Sequence, residues 1–157
     1  MKVIQAIPSM PKSVTEPEIN KFLESKLNVQ IATIDEEGYP IIQPTWFLYD
    51  KQSGKIYAAT PKMSRKVQNI QKHPDKIYFS IDDENYPYKG VKGKAVVRIS
   101  EDVQKNMPIM EKINLKYLGT LDHPLAKMLM ANMRNGVEIV IEITPKFFSA
   151  WDFSKAM

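Results

Sequence analysis

Residues 55–82, "KIYAATPKMSRKVQNIQKHPDKIYFSID", decide the fold that this sequence predicts. The first and last parts, "KIYAAT" and "KIYFSID", are short apolar runs of the kind that form strands. Between them, Val67 and Ile70 lie three positions apart, and the pattern stops at Pro74. This spacing and this stop predict a short helix. The stretch therefore indicates two strands with a helix inserted between them.

The start of this helix carries candidate binding residues. Two hydroxyls and two adjacent cations fall within seven positions: Thr60, Ser64, Arg65 and Lys66. The free N–H groups and the positive dipole end of a helix favour an anion there. An arginine fork and a lysine point charge suit phosphate oxygens. A capped helix with solvated cations explains the same spacing, and the residues alone leave both interpretations open.

The segments on either side extend the pattern. Thr15 and Glu18 have capping-box spacing at the start of a helix predicted over 15–27. A hairpin then runs through "DEEGY" into "PIIQPTWFLYD". Further on we expect a strand at 91–100, a helix over 101–118 broken at Pro108, and a helix over 123–136 ending at Gly136. A strand at 137–145 and a last strand or extended tail at 146–153 complete the chain.

This order predicts an α+β, mostly β fold: an antiparallel sheet of six to seven strands that forms a barrel, with inserted helices. Length and composition fit one domain over 1–157, with residues 1–14 as an extended N-terminal arm. The interrupted apolar start is not a signal peptide, and no run approaches the roughly 20 residues of a membrane span. We expect a cytoplasmic protein.

Composition narrows the chemistry. The net charge is +4, but no block of like charges occurs, so a nucleic-acid partner is not favoured. The chain has no cysteine, which excludes disulfides and thiol catalysis. The two histidines, His73 and His123, each lie beside a proline without a carboxylate pair at metal spacing, so no metal site is predicted. If the protein is an enzyme, a bound cofactor supplies the reactivity.

Two further segments are candidates for contact with a ligand. In "QPTWFLYD", residues 43–50, Pro44 cannot donate a ladder hydrogen bond and indicates an edge strand or a bulge. Free backbone groups on such an edge can bind a flat heterocycle, although Trp46 also fits a core position. Trp151 stands isolated near the C-terminus. It is expected to contact a ligand or a second subunit, or to plug the barrel end.

Three segments in order resemble one known family. "IATIDEEGYPIIQPTWFLYD" (31–50), the 55–82 stretch and "YPYKGVKGKAVV" (86–97) resemble the FMN-binding split barrels, the pyridoxamine 5'-phosphate oxidase-like superfamily. The resemblance implies a split barrel and a homodimer with flavin sites at the subunit interface. It assigns the phosphate to Thr60, Ser64, Arg65 and Lys66, and the ring to Gln43, Pro44, Thr45 and Trp46. It also implies that Trp151 reaches the cofactor of the second subunit.

The resemblance implies an FMN-dependent oxidoreductase that transfers hydride between flavin N5 and a small organic substrate. The chain ends in "WDFSKAM" rather than in the arginine-histidine signature of true pyridoxamine phosphate oxidases, which puts the vitamin substrate in doubt. "SRKVQNIQKHPD" and "YPYKGV" lean toward the branch that uses the deazaflavin coenzyme F-420. Two other readings stay open: a flavin-binding module without turnover, and a haem-binding split barrel, which would need an axial ligand.

Overall fold

The computed structural model describes residues 1–156, and this part of the chain forms nine strands and four α-helices. The strands are β1 (Val3–Gln5), β2 (Val29–Ile34), β3 (Pro40–Thr45), β4 (Leu48–Asp50), β5 (Lys55–Pro61), β6 (Ile77–Asp83), β7 (Lys89–Ser100), β8 (Glu138–Pro145) and β9 (Phe148–Asp152). The helices are α1 (Glu16–Phe22), α2 (Arg65–Lys72), α3 (Val103–Leu118) and α4 (Pro124–Arg134). A short 3₁₀ turn, Phe153–Lys155, follows β9.

A two-residue link joins the two end strands of the sheet, which are not paired with each other. Its main strand order is β3-β2-β6-β7-β8-β5-β4, with antiparallel neighbours throughout. β3 and β4 lie at opposite ends of this order, yet only Trp46 and Phe47 separate them in sequence. The Thr45 hydroxyl crosses the remaining gap toward the Ala59 carbonyl at 3.5 Å. The predicted α+β class, with an antiparallel split barrel, is confirmed.

The strand count exceeds the predicted six to seven because of two short strands. The expected single strand through 43–50 divides at Trp46, and its second part becomes β4, paired with β5 instead of β2. The N-terminal segment contributes β1, which pairs in parallel with β9 in the register Val3 to Phe148. The Gln5 side-chain amide accepts a hydrogen bond from the Val14 N–H at 3.0 Å and donates one to the Val14 carbonyl at 3.2 Å. These two bonds hold residues 5–14 as a loop.

The main core fills the barrel interior. Val29, Ile31 and Thr33 lie at alternate positions of β2, and all three are buried. Helix α1 covers one barrel end with its buried Ile19. It has the predicted capping box, in which the Thr15 N–H donates to Glu18 at 2.8 Å. The helix ends at Phe22 rather than at residue 27, because the Ser25 hydroxyl donates a hydrogen bond to the Phe22 carbonyl at 2.6 Å.

Helices α3 and α4 pack together over a second, smaller core that includes Met110, Ile113 and Met133. The predicted break at Pro108 is wrong, because α3 is continuous through it. Asp102 caps the helix by accepting from the N–H groups of Gln104 and Lys105, and burial of the α3 face offsets the bond that proline cannot make. Among residues 1–156, no helix is long and apolar enough to span a membrane.

Candidate functional site

The end of β5 and the start of α2 bring together the hydroxyls that the sequence predicted as a phosphate site. The Thr60 and Ser64 side-chain oxygens lie 3.5 Å apart. Ser64 is the N-cap of α2, and its hydroxyl accepts from the Val67 N–H at 3.4 Å. The chain turns at Pro61, where the Ser64 N–H donates to the Pro61 carbonyl at 3.0 Å. The four residues Thr60, Ser64, Arg65 and Lys66 are called the cradle below.

The first turn of α2 offers free donors. The Gln68 N–H donates a hydrogen bond to the Ser64 carbonyl at 3.3 Å. The N–H groups of Arg65 and Lys66, by contrast, have no backbone acceptor within the described part of the chain. No acidic residue lies in this turn. Unpaired donors at the positive end of a helix dipole, without a competing carboxylate on the same turn, form an environment that favours an anion.

Lys66 and Glu138 form a buried and incomplete charge pair beside this turn. They are 5% and 8% exposed, and Glu138 pairs with Pro61 in the β5–β8 register. Burial lowers the pKa of Lys66, and the Glu138 charge opposes that shift. Burial raises the pKa of Glu138, opposed by Lys66. Within residues 1–156 no carboxylate oxygen lies within 4.0 Å of the Lys66 ammonium. The buried cation therefore retains capacity for an anionic ligand.

A buried hydrogen bond holds α2 in place. The Asn69 amide donates to the Thr33 hydroxyl at 3.0 Å, and both side chains are buried. This bond ties the middle of the helix to the inner face of β2. Asn69 thus braces the helix.

The predicted ring-contacting residues lie along an open strand edge. β3 is the last strand of the sheet order and pairs only with β2, with Pro44 opposite Gln30. Pro44 is exposed, and Gln43 and Thr45 on alternate positions are half-buried. The predicted edge at Pro44 therefore matches the structure. Trp46 lies just beyond the strand, and its indole stacks on the Tyr117 ring with centroids 4.7 Å apart.

Two residues of the last turn of α3 hold the link after β3, and no sequence pattern had indicated that they belong to the site. The Tyr117 hydroxyl accepts from the Phe47 N–H at 3.1 Å and donates to the Leu27 carbonyl at 2.5 Å. The Lys116 ammonium donates to the Phe47 carbonyl at 2.9 Å. Burial lowers the pKa of Lys116 to about 8. These contacts join residues 69 to 90 positions apart, so no local pattern could have indicated them.

Trp151 lies at the other end of the barrel. It pairs with Gly90 across β7 and β9, and a Cβ at Gly90 would come within 2.2 Å of the indole. Together with Phe22 and Lys89 the indole lines a cavity of about 450 Å³ between α1 and the sheet. The cradle lies beyond Ser100, at the opposite end of β7. Ten residues of strand span up to about 33 Å. One chain therefore does not bring Trp151 to the cradle.

Metal-binding clusters are absent from the part of the chain that the structure describes, where no group of three or more histidine, aspartate or glutamate side chains converges. His123 is the N-cap of α4, and its Nδ1 accepts from the Leu125 N–H at 3.0 Å. That ring nitrogen is therefore committed to helix capping.

The chain is an antiparallel split barrel in which helix α2 begins with free N–H groups beside two hydroxyls. The sequence model of the pyridoxamine 5'-phosphate oxidase family matches residues 15–151, and the chain belongs to that family. No curated protein matches the sequence significantly.

Solved structures support the fold. The conserved hypothetical protein Rv2991 from Mycobacterium tuberculosis superposes with a TM-score of 0.77 at 24% identity, over 91% of this chain and 88% of that one. A protein described as an F420 reductase superposes with a TM-score of 0.65 at 24% identity, over 83% of this chain and 94% of that one. HutZ, a heme storage protein from Vibrio cholerae, gives 0.66 at 14% identity, over 87% and 93%. At these identities the likeness concerns the fold.

Proposed function

We propose that this protein binds FMN and is an oxidoreductase that transfers hydride between flavin N5 and a small organic substrate. The observation that carries the proposal is the cradle, in which the buried Lys66 has no carboxylate within 4.0 Å among residues 1–156. Burying a charge without a close partner is costly. Such a charge is therefore expected where a ligand of opposite charge completes the pair. Family membership supports a flavin as that ligand.

The residues of the site fit a phosphomonoester. The Thr60 and Ser64 hydroxyls and the free N–H groups of Arg65 and Lys66 would bind phosphate oxygens, and the two cationic side chains would neutralise its charge. Glu138 beside Lys66 opposes an anion while it is ionised, and burial favours its neutral form. The Lys66 ammonium offsets this opposition, because its charge favours the ionised form of Glu138 and partly neutralises it.

The open edge of β3 would hold the ring, with backbone groups of Gln43 to Thr45 facing its polar rim and Trp46 at its end. Bound FMN would supply the capacity to accept or donate hydride at N5. The protein's own residues would orient the ring, exclude water from one face and tune it by hydrogen bonds. None of them is required as a covalent nucleophile.

The site as proposed needs a second copy of the chain. Trp151 lies at the far end of β7 from the cradle, so it would contact the cofactor bound to the partner in a homodimer. This arrangement agrees with the separate cavity that the indole lines within its own chain. The proposed homodimer would act in the cytoplasm, without nucleic acid as a partner.

The deazaflavin coenzyme F-420 is the second candidate cofactor. One structural neighbour is described as an F420 reductase, and that coenzyme also carries a phosphate suited to the cradle. The four cradle residues recognise the group that both cofactors share. A flavin-binding module without turnover would use the same contacts, and only the reaction separates it from an enzyme.

The haem interpretation has weaker support in this chain. The neighbour HutZ is described as a heme storage protein, but the likeness extends to the fold alone at 14% identity. Haem iron needs an axial ligand, most often histidine. Of the two histidines, His123 caps α4 through Nδ1, and His73 is the half-buried residue that directly follows α2.

The absorption spectrum and the mass of the molecule that co-purifies with the protein test the proposal. A yellow protein that releases FMN on denaturation supports it, and release of the deazaflavin supports the alternative. A colourless protein that binds neither compound contradicts both. Anaerobic reduction by NADH or NADPH, followed by reoxidation with trial acceptors, separates an enzyme from a binding module.

A further inference from the structure

A second cavity adjoins the cradle, between the sheet and helices α3 and α4. It measures about 230 Å³ and shares Thr45 and Trp46 with the proposed ring site. Pro61, which directly follows the cradle residue Thr60, lies on another wall. The cavity is therefore contiguous with the cofactor site that we propose, although none of the four cradle side chains lines it.

The walls of this cavity are almost wholly apolar. Ile113 of α3 and Leu129 of α4 face Ala59 of β5 across it, and Trp46 closes one side with an indole that is fixed flat against Tyr117. A rigid aromatic wall opposite aliphatic side chains suits a flat ring. This surface offers no cation to a charged ligand, since Lys66 is not among the residues that line it.

Two oxygen-bearing side chains interrupt the apolar lining, those of Thr45 and Glu138. The Thr45 hydroxyl is directed to the Ala59 carbonyl, 3.5 Å away. The Glu138 carboxyl makes no side-chain ion pair within 4.0 Å among residues 1–156, and the residue is 8% exposed. A buried carboxyl at the edge of an apolar cavity is a strong acceptor for a ligand O–H or N–H.

The volume limits what can enter. An apolar cavity of about 150 Å³ already binds a benzene ring, and pockets for drug-sized molecules span about 300–1,000 Å³. A cavity of about 230 Å³ therefore accommodates one substituted ring.

We propose that this cavity is the substrate pocket, that it takes a small, uncharged ring compound carrying one O–H or N–H donor, and that Glu138 binds this donor. The inference rests on the proposed function and adds a substrate class to it. The shared wall of Thr45 and Trp46 would set the substrate beside the cofactor ring. Glu138 would reject anionic compounds of the same shape, because its carboxylate repels them and no cation lines the pocket.

Binding of three fluorinated probes to the full-length protein as purified tests the pocket by ¹⁹F NMR. 4-Fluorophenol carries a donor, 4-fluoroanisole has the same ring without one, and 4-fluorobenzoate is anionic. We expect 4-fluorophenol to bind at least about tenfold more tightly than either of the others, since only its O–H can donate a hydrogen bond to the charged Glu138 carboxylate. Equal affinities for all three compounds would overturn the proposal.

Two variants locate the binding. Glu138→Gln should reduce the preference for the phenol over the anisole by about fivefold, because a charge-assisted hydrogen bond is replaced by a neutral one. Ala59→Leu should abolish binding of both neutral probes by filling the cavity. Because this variant keeps Glu138, it tests the pocket even if Glu138→Gln does not fold. The matched control is Glu142→Gln on the same strand. The Glu142 carboxylate is paired with Lys55, so this substitution should leave probe binding unchanged.

The pocket and the proposed function can fail separately. Retained probe binding in a protein that binds neither FMN nor deazaflavin would contradict the proposed function and leave the pocket standing as a ligand site. Cofactor binding without probe binding, or probe binding that Ala59→Leu does not affect, would contradict the pocket alone.

Discussion

The indole of Trp46 lies flat on the ring of Tyr117, with centroids 4.7 Å apart and planes inclined by 5°. This stack joins the seam of the barrel to the last turn of α3. It fixes the residue at which the open β3 edge, the cavity under α3 and α4 and the link to β4 meet. The position of one aromatic pair therefore determines the shape of both proposed ligand sites.

Removal of the Tyr117 hydroxyl should destabilise the protein while the stack remains. Tyr117→Phe leaves the Phe47 N–H and the Leu27 carbonyl without their partner. We expect a loss of about 1–3 kcal/mol in the free energy of unfolding, measured by urea denaturation. Tyr39→Phe, at a ring that is 65% exposed, is the control and should stay within about 0.5 kcal/mol of wild type. Equal stability of the two variants would contradict the role given to Tyr117.

Loss of the two cradle cations should weaken FMN binding and preserve the fold. Each charge-assisted phosphate contact contributes roughly 1.5–3 kcal/mol, so the double variant Arg65→Ala, Lys66→Ala should lose a few kcal/mol of binding free energy. Fluorescence titration with FMN measures this loss. Lys72→Ala, in the last turn of the same helix, is the matched control. Riboflavin, which lacks the phosphate, should not distinguish the variants, and a parallel loss of riboflavin affinity would show that the cations act elsewhere.

Lys116 should make stability rise with pH on the alkaline side. Burial lowers its folded-state pKa from 10.5 to about 8, so the unfolded chain binds more protons between these values. Stability therefore increases with pH across that window, and the full penalty of the buried charge applies below it. The difference in unfolding free energy between wild type and Lys116→Met isolates this group, measured in urea from pH 7 to 10.5. A difference that does not change with pH would contradict the assigned shift.

Gly90 should be required for the position of Trp151. An alanine Cβ there would lie 2.2 Å from the indole Cζ2, so Gly90→Ala must displace the ring or separate β7 from β9. We expect about 1–3 kcal/mol of destabilisation from overpacking. In a Trp46→Phe background the fluorescence of Trp151 alone should shift in wavelength. Val96→Ala, at a 42% exposed site on the same strand, provides the control, and unchanged emission in Gly90→Ala would refute the contact.

Local patterns were sufficient for the elements that local chemistry determines. The Thr15–Glu18 capping box, the helix start at Ser64 and the edge strand at Pro44 each follow from a few neighbouring residues, and the structure has all three. The order of the three quoted segments then indicated the family. Fold class and the gathering of the cradle residues were therefore accessible from sequence.

The parts that sequence reasoning missed depend on distant partners. Glu138 was not singled out in the predicted strand at 137–145, and its burial depends on a strand pairing with Pro61, far away in sequence. The division of 43–50 into two strands depends on β5, which offers a second partner to Leu48. Pro108 was expected to break α3, but Asp102 and the buried Met110 sustain the helix around it. Pairing and packing, which no local window contains, decided these positions.

The two prolines of β3 have a consequence for solubility. A free strand edge is a template for pairing with another chain, and unprotected edges lead to aggregation. Pro40 and Pro44 lack the N–H groups that such pairing needs, so another copy of the chain cannot extend the sheet there in regular register. The edge is thereby closed to a strand although it stays accessible to a small molecule, which lets an exposed sheet margin persist without polymerising.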